Sequence, residues 1–388
     1  MPDPQERSPR PTIGLVVNPI AGLGGRVGLK GTDGADMVDR ALSLGAKPIA
    51  LARAEESLLA LRAAWSASRP LPRLRTGNGS LGLLAARGAA FPAKAIGGPV
   101  AGATTADDTR WLAAAFATEQ VDLLLFAGGD GTARDVAQAT GGTITTLGIP
   151  AGVKIQSAVF ATSPAAAGRL AAAYLASTAR RTTEREVLDL DEDAYRRGEV
   201  VPRMHGYLRV PISRLVQARK APSPASEAGA AAGIAADIVE GLIPGHCYVL
   251  GPGTTVRSIA TALGVRKTLV GVDVVTVTPL GPELMVSDVG ESELRKALAG
   301  RQVSIIVTPI GGQGFLFGRG NQPISPEVIR IAGRDRIMVV ATSVKLAALG
   351  GRPLLVDTGD HDLDRDLAGH MSVMTGHHER AVVRVEPA

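Results

Sequence analysis

The stretch Gly128-Gly129-Asp130-Gly131-Thr132 is the key to the fold of this chain. It follows residues 121–127, a short apolar run typical of a buried strand, and precedes residues 133–138, where apolar side chains recur at helical spacing. The glycines therefore lie on a strand-to-helix turn, where unpaired backbone N–H groups and the positive end of the helix dipole favour an anion. We expect phosphate to bind at Gly128, Gly129, Gly131 and Thr132.

Asp130 is the unusual residue in this turn. A carboxylate beside bound phosphate is repulsive unless it holds a metal ion or meets a hydroxyl that is about to be phosphorylated. Gly-Asp-Gly is also ordinary turn chemistry, and aspartate is a common N-cap, so a purely structural role fits the same residues. We take Asp130 as the candidate catalytic residue and leave the structural alternative open.

Length and composition favour a soluble globular protein of two domains. The 388 residues are 45% hydrophobic and 20% charged, and no apolar run reaches membrane-spanning length without interruption. We therefore expect no association with a membrane. The single cysteine, Cys247, excludes a disulfide within one chain and fits a cytoplasmic location.

The charge of the chain raises the question of nucleic-acid binding. The formal net charge is +5, but the basic residues are scattered, aromatic residues make up only 3%, and no nucleic-acid module is recognisable. Basic side chains that serve a phosphorylated ligand explain the charge better. We expect a small-molecule substrate, no nucleic-acid partner, and a homo-oligomer.

Strand and helix patterns alternate through the first half of the chain. The predicted strands are residues 13–17, 48–51, 74–76, 93–96, 121–127 and 143–149. This alternation is typical of a parallel, doubly wound, Rossmann-like sheet, whose ligand crevice lies at the carboxyl ends of the strands. We assign residues 1–11 to a loose tail, 12–184 to this domain and 185–388 to a substrate-binding domain whose last stretch would pack back on the first.

Three further glycine-containing loops follow predicted strands. The loop with Asn18 and Gly22 lacks the spacing of a Walker A motif, so a flexible connection explains it as well as a phosphate site does. Lys154 lies in a loop that would enter a helical stretch; it would meet a phosphate as a point charge, although most lysines are simply solvated. The last of these loops offers hydroxyl and N–H groups from Gly253, Thr254 and Thr255.

Two polar segments occur in the last third of the chain. Residues 309–322 are dense in glycine and contain Arg319, Asn321 and Gln322, a combination that favours a ligand-binding loop over packing. Residues 357–362 hold three aspartates and a histidine, but without regular ligand spacing a solvated turn is favoured over a metal site. We assign His377 and His378 to the surface, and the sequence identifies no metal ligands.

The first motif resembles the GGDGT motif shared by NAD kinases, diacylglycerol kinases and sphingosine kinases. Together with residues 18–22, 150–154, 251–255 and 318–322, it resembles the ATP-NAD kinase family, in the branch that includes the acetoin-catabolism protein X, from about Thr12 to Val385. The resemblance implies a Rossmann-like domain, a C-terminal α+β domain rich in β structure, and an active site between them. It also implies ATP as phosphoryl donor with a divalent metal, Mg²⁺.

The acceptor of the phosphoryl group is left open by two departures from NAD kinases. Those enzymes carry an Asn-Glu pair that positions the adenosine portion of NAD, and no such pair follows the first motif here. Their Ser-Thr-Ala-Tyr run is replaced by Thr254-Thr255-Val256-Arg257, without the tyrosine. NAD is the leading acceptor, another metabolite or a lipid is the alternative, and a nucleotide-binding regulatory protein without catalysis is a further one.

The expected chemistry is transfer of a phosphoryl group from ATP to a hydroxyl. The transition state of such a transfer is loose, so positioning and charge neutralisation contribute more than a strong base. Because an ordinary aspartate has a pKa near ~3.9, we expect Asp130 to orient the hydroxyl or a metal-bound water and to accept the proton late.

Overall fold

The computed structural model describes residues 10–29, 35–97, 104–152, 155–190, 202–213, 215–216, 228–310 and 312–388. The described residues form two compact units. The first unit draws on Met1–Gly22, Lys47–Glu192 and Val200–Gln217, and the second on Leu23–Ala46 and Ala218–Ala388. The domain limits assigned from the sequence, 12–184 and 185–388, stay a prediction, and most of the tail at 1–11 lies outside the described residues.

Strands and helices follow one another in chain order as given next. The strands are β1 Thr12–Val17, β2 Arg73–Thr76, β3 Ala93–Ala95, β4 Leu123–Gly128, β5 Thr146–Pro150, β6 Thr182–Leu190, β7 Pro202–Pro211, β8 Cys247–Leu250, β9 Asp273–Thr278, β10 Gly281–Val286, β11 Val303–Val307, β12 Phe315–Phe317, β13 Ile337–Val340, β14 Leu354–Val356, β15 Gly369–Gly376 and β16 Glu379–Pro387. The helices are α1 Ala35–Ser43, α2 Ala50–Ala64, α3 Leu83–Gly88, α4 Ala106–Thr118, α5 Asp130–Thr140, α6 Pro164–Ala176, α7 Ala228–Glu240, α8 Thr254–Ala262, α9 Glu291–Leu298, α10 Pro326–Ala332, α11 Ser343–Ala347 and α12 His361–Leu367.

The first unit is built on a five-stranded sheet of described residues in the order β3-β2-β1-β4-β5. All its strand pairs are parallel. Helix α2 packs against α3 and α6, while α4 packs against α5. The chain passes from β1 toward β2 and from β4 toward β5, which are opposite directions across the sheet. Because parallel crossovers are right-handed, the helices that follow β1 and β4 lie on opposite faces of the sheet. The boundary between β1 and β4 is therefore the topological switch point of this unit.

Small residues allow the helices of the first unit to approach closely. A Cβ on Gly14 of β1 would lie 2.8 Å from the ring of Phe116 in α4, and a Cβ on Gly168 of α6 would lie 2.0 Å from the carbonyl oxygen of Ser57 in α2. Both contacts are too short for any side chain, so these glycines set the helix-to-sheet and helix-to-helix distances. The core they enclose is formed by fully buried side chains of β1 and β4.

Two local predictions in the first unit are wrong. Residues 48–51 do not form a strand, because α2 begins at Ala50 and buries Ala50, Ala54, Leu58 and Leu61 along one helical face. The loop after β5 does not enter a helix either. Phe160 instead lies against Gly148, where a Cβ would be 2.3 Å from its ring, and the backbone there forms an isolated bridge with β5 before α6 begins at Pro164.

Strands β6 and β7 form an antiparallel hairpin in the first unit. Thr145 forms an isolated parallel bridge with Arg209 of β7, and β6 and β7 both pack against α5. This hairpin brings Leu188 and Asp189 of β6 to the carboxyl-end edge of the parallel sheet.

The second unit contains a nine-stranded sheet of described residues in the order β10-β9-β8-β11-β13-β15-β16-β14-β12. Its central strands β8, β11, β13 and β15 are parallel neighbours, and antiparallel pairs flank them on either side. The prediction of a doubly wound parallel sheet followed by an α+β domain rich in β structure is confirmed.

Alternate residues of the central strands face two different layers of helices. Val249, Ile305 and Val339 pack with side chains of α9 and α10, whereas Leu250, Ile306 and Val340 pack with side chains of α7 and α8. The chain therefore leaves β8 for α8 on one face, and the connection from β11 to β13 passes through α10 on the other. A second topological switch point lies between β8 and β11. Among the described residues, no helix has the length and apolar character needed to cross a membrane.

Candidate functional site

The loops that follow β1, β4 and β5 are bonded to one another at the carboxyl-end edge of the first sheet. Asn18 donates from Nδ2 to Oγ1 of Thr132 at 3.0 Å, and the N–H groups of Ala151 and Gly152 both donate to the carbonyl oxygen of Gly128 at 2.9 Å. These bonds join segments that are distant in sequence at the switch point between β1 and β4. The structure therefore brings together Asn18, Gly22, Gly128, Gly129, Asp130, Gly131 and Thr132.

Close contacts within and between these loops restrict most of their glycines. A Cβ on Gly128 would lie 2.3 Å from Oγ1 of Thr132, one on Gly129 would lie 3.1 Å from Cα of Gly152, and one on Gly22 would lie 2.0 Å from the carbonyl oxygen of Ala151. Gly22 also has a φ of 78°, which favours glycine. Gly131 differs, because its nearest neighbour would lie 3.7 Å away. Access for phosphate is the reason that the sequence suggests for glycine at these positions. That reason alone does not account for Gly22, Gly128 and Gly129, which have these close contacts.

The carboxylate of Asp130 is buried at the first residue of α5, with 6% of the residue exposed. Its Oδ2 accepts a hydrogen bond from the backbone N–H of Gln156 at 2.6 Å, and its Oδ1 accepts one from the N–H of Ser157 at 3.0 Å. Gly129 is the N-cap residue of α5, so aspartate does not fill that position, which was the structural alternative considered for it. Asp130 instead ties the start of α5 to the loop after β5.

Burial changes the acid strength of Asp130. Removal from water raises the pKa of its carboxyl group from 3.8 to about 7, against the lowering effect of the hydrogen bonds from Gln156 and Ser157; the nearby charge of Asp189 raises it further. The premise that Asp130 has an ordinary pKa is therefore wrong. A carboxyl group with a pKa near neutrality is suited to accept a proton at physiological pH.

Strand β6 supplies further polar contacts beside Asp130. Oγ of Ser157 accepts from the N–H of Leu188 at 2.9 Å and donates to its carbonyl oxygen at 2.8 Å. Asp189 accepts from Nη1 of Arg134 at 2.6 Å. Ser157, Asp189 and Arg134 were missed from the sequence, since nothing in the spacing of β6 and α5 indicates that they meet.

In the second unit, the loops after β8, β11 and β13 meet at the second switch point. Gly253, with a φ of 124°, approaches Thr308 so closely that a Cβ would lie 2.7 Å from its Cγ2. Nζ of Lys345 donates to Oγ1 of Thr308 at 2.9 Å, and Lys345 is only 9% exposed. Thr254 is exposed at the start of α8, and Thr255 is buried. A buried ammonium group thus lies next to the Gly253–Thr255 loop.

The predicted ligand loop at residues 309–322 is occupied by internal contacts. Arg319 forms a buried ion pair with Asp357 at 3.0 Å, and its guanidinium group lies 4.9 Å from the centre of the Phe315 ring. Asn321 donates to the carbonyl oxygen of Leu316 at 2.9 Å and accepts from the N–H of Gly318 at 3.2 Å. Packing therefore explains much of this segment, contrary to expectation, and the assignment of Arg319, Asn321 and Gln322 to substrate binding stays a prediction.

Three predictions for other positions remain. Lys154 lies outside the described residues. The solvated turn predicted at residues 357–362 is wrong for Asp357, which is buried in its ion pair with Arg319. His377 and His378 are exposed at the surface, as predicted.

Two family models match most of the chain. The ATP-NAD kinase N-terminal domain matches residues 13–179, and the ATP-NAD kinase C-terminal domain matches residues 244–385. The chain belongs to the ATP-NAD kinase family. The family resemblance drawn from the sequence is thereby confirmed, while its placement in the branch of the acetoin-catabolism protein X stays a prediction.

The solved structures that match the chain have low sequence identity to it. Two solved structures from Bacillus anthracis str. Sterne match the chain at 17% identity: one titled a putative diacylglycerol kinase, with a TM-score of 0.26, and one titled a diacylglycerol kinase, with a TM-score of 0.24. Each match covers 48% of this chain and 48% of the other, so this chain spans about half the length of the structures it matches. No curated protein is similar enough to be counted as a relative.

Proposed function

We propose that the protein is an ATP-dependent phosphotransferase that phosphorylates a hydroxyl of a small molecule, with NAD as the first candidate acceptor. Its family membership supports this class of reaction. The observation that carries the proposal is the buried carboxylate of Asp130, which lies at a switch point and at the start of a helix. Ligands of open α/β sheets bind in such positions, outside the carboxyl ends of the strands.

The phosphates of ATP would bind at the loops after β1 and β4. The first N–H groups of α5 have no partner within the helix, and the helix dipole makes this end positive. Gly131 leaves room there for a close approach, and Arg134 lies one turn further along α5. Asn18, Gly22 and Thr132 would shape the pocket through the bonds that hold the loops together.

A divalent cation such as Mg²⁺ would enter with the donor phosphates. Mg²⁺ is commonly held by one or two carboxylates together with substrate phosphates, and Asp130 fits as such a carboxylate. Each of its oxygens accepts one backbone N–H, which leaves a further lone pair on each. When bound, the cation neutralises charge on the phosphoryl group during transfer.

Asp130 would also receive the proton of the acceptor hydroxyl. As the acceptor oxygen forms its bond to the γ-phosphorus, the bond from that phosphorus to the bridging oxygen breaks and ADP leaves. The hydroxyl proton passes to the carboxylate of Asp130, whose pKa burial raises to about 7 in the absence of a metal ion. Because a bound cation lowers that pKa and only the ionised form accepts a proton, we expect kcat to rise with pH through a pKa below about 7.

An anionic group of a substrate would bind in the second unit, at the loops after β8, β11 and β13. Gly253, Thr254 and Thr255 supply N–H and hydroxyl groups there, and Lys345 supplies a positive charge. An ammonium group holds phosphate as a point charge. NAD, other phosphorylated metabolites and phospholipid headgroups share this anionic feature, so the acceptor must be identified by experiment. We also keep a cytoplasmic location and a homo-oligomeric state as part of this proposal.

The decisive experiment measures ATP consumption with NAD, NADH, hydroxylated metabolites and diacylglycerol vesicles as acceptors. We expect turnover with one class of acceptor in the presence of Mg²⁺, and loss of that turnover in Asp130→Asn. Equal turnover by the variant at saturating ATP and acceptor would remove Asp130 from the mechanism. Binding of ATP without turnover on any acceptor would favour the regulatory alternative instead.

A further inference from the structure

Two adjacent histidines and a glutamate come together on the surface of the second unit. His377 and His378 form the turn between β15 and β16, and Glu240 is the last residue of α7. Nε2 of His377 lies 2.9 Å from Oε1 of Glu240, and Nε2 of His378 lies 3.5 Å from its Oε2. Within the described parts of the chain, this is the only group of three such side chains whose ligand atoms all lie within 4.8 Å of one another.

The backbone of the turn accounts for this arrangement. Successive side chains of a strand point to opposite faces, yet both imidazoles lie on the side of α7, with ring centres 4.0 Å apart. His378 has a φ of 56°, and this left-handed conformation breaks the alternation. The turn is also packed against α7, because a Cβ on Gly233 would lie 3.0 Å from the backbone nitrogen of His377. The two rings are thus held next to Glu240 by the fold.

Asp237 contacts the other ring nitrogen of His378, Nδ1. Nδ1 of His378 lies 3.3 Å from Oδ1 of Asp237, whose second oxygen accepts a hydrogen bond from Arg380. Only 9% of the Asp237 side chain is exposed, whereas 66% of the His378 side chain is exposed. A carboxylate that accepts from one imidazole nitrogen fixes the tautomer and leaves the other nitrogen as a metal ligand. His378 is therefore oriented as metal-binding histidines usually are.

We propose that Nε2 of His377, Nε2 of His378 and a carboxylate oxygen of Glu240 bind a transition-metal ion of the Zn²⁺ or Ni²⁺ class. Imidazole suits these ions, whereas Mg²⁺ and Ca²⁺ prefer oxygen ligands. Two ligands of a tetrahedral zinc with bonds of about 2.05 Å are about 3.3 Å apart. Nε2 of His377 lies 2.9 Å from one oxygen of Glu240 and Nε2 of His378 lies 3.5 Å from the other, and one ligand atom from each of the three residues lies within 4.8 Å of the other two, so small side-chain rotations reach that spacing. A bound ion would link the β15–β16 turn to the end of α7 and leave an open position for water.

The site is tested by titrating the full, tag-free chain with ZnCl₂ and with NiCl₂ in a calorimeter. We expect one equivalent to bind to the wild-type protein, and affinity to fall more than about tenfold in His377→Ala, His378→Ala and Glu240→Gln. His370→Ala is the matched control, because His370 is exposed on the same hairpin and lies outside the cluster. Asp237→Asn removes the carboxylate that orients His378 and leaves the three ligands in place. We expect this variant to lose about tenfold to a hundredfold in metal affinity.

Two further measurements separate this site from the proposed kinase site. Excess Mg²⁺ should not displace the zinc, and zinc should slow amide hydrogen exchange at the end of α7 and in the β15–β16 turn. Equal zinc affinity in the wild type and both histidine variants would overturn the proposal, as would displacement by Mg²⁺. None of these readings depends on ATP turnover, so the inference can fail while the proposed function stands.

Discussion

The carboxyl-end edges of the two sheets resemble each other in topology and differ in charge. Each edge contains a switch point where neighbouring parallel strands send their connections to opposite faces. In the first unit the buried charged group beside it is the carboxylate of Asp130, and in the second it is the ammonium group of Lys345. The same architecture therefore presents a carboxylate in one unit and an ammonium group in the other.

The two groups are held in different ways. Asp130 accepts hydrogen bonds from the backbone N–H groups of Gln156 and Ser157, which belong to the loop after β5. Nζ of Lys345 donates to the hydroxyl of Thr308, which is a neutral side chain. A rigid carboxylate suits proton and metal chemistry, whereas an ammonium group on a flexible stem suits the recognition of an anion. We therefore propose that chemistry takes place at the first edge and recognition of an anion at the second.

The largest effect is expected for Asp130→Asn. Loss of the proton acceptor should lower kcat by about 10²–10⁴-fold, because general base catalysis typically contributes that much. The control is Asp135→Asn on the same helix. Asp135 is a buried carboxylate that accepts from Arg110 at 2.7 Å, and its loss should reduce stability and leave kcat within about twofold. Equal losses in the two variants would mean that Asp130 acts only by holding the loop.

The second prediction concerns a buried lysine whose partners lie within its own unit. The side chain of Lys267 is fully buried, and its Nζ donates to Oδ2 of Asp273 at 2.8 Å and to two backbone carbonyl groups. Asp273 also accepts from the N–H of Asp288 at 2.8 Å. Lys267→Met should lower the free energy of unfolding by about 3–5 kcal/mol, because it leaves a buried carboxylate without its counter-charge.

The measurement for Lys267→Met is urea unfolding followed by hydrogen exchange of amides in β8 and β9. This reports on the second unit alone, which matters because two compact units need not unfold together. A loss below about 1 kcal/mol would show that the pair contributes no more than an exposed one does.

The third prediction is a pH dependence of stability that originates in the first unit. The pKa of Asp130 is about 7 in the folded chain, whereas an unfolded aspartate has a pKa near ~3.9. Between these values the native state binds one more proton than the unfolded state. The contribution of Asp130 to stability should therefore be largest below pH ~4 and fall as pH rises to about 7, by at most roughly 4 kcal/mol. Subtracting the profile of Asp130→Asn isolates this contribution, and identical profiles would contradict the raised pKa.

The fold was largely predictable because its signals are local. The apolar run before Gly128 and the helical spacing after it locate β4 and α5 correctly, and Ser163-Pro164 marks the start of α6. The wrong strand at residues 48–51 arose because Ala50 belongs to a helical face that becomes apparent only with Leu58 and Leu61. Short apolar runs fit a strand and a buried helix equally well.

The candidate site was only partly predictable. Asp130 stands out because a carboxylate is unusual beside phosphate, but its raised pKa depends on burial under a loop from elsewhere in the chain. Lys345 carries no local signal, since a lysine near a threonine is common and its approach to Thr308 is set by the order of β11 and β13. The spacing of residues along the sequence does not indicate such contacts between distant segments.

The smallest effect is expected for Lys345→Met, which tests recognition at the second edge. Methionine keeps the apolar stem of the side chain and removes its charge. A hydrogen bond to a charged group contributes about 1.5–3 kcal/mol, so KM for the anionic substrate should rise about tenfold to a hundredfold with kcat little changed.

Lys296→Met is the control for Lys345→Met, because Lys296 is an exposed lysine on α9 of the same unit and should leave both kinetic constants unchanged. Thr308→Val removes only the neutral partner of Lys345 and should have the smaller effect of the two site variants. A fall in kcat with constant KM in Lys345→Met would instead contradict its role in substrate recognition. The assignment of chemistry to the edge with the carboxylate and of recognition to the edge with the ammonium group would then be wrong.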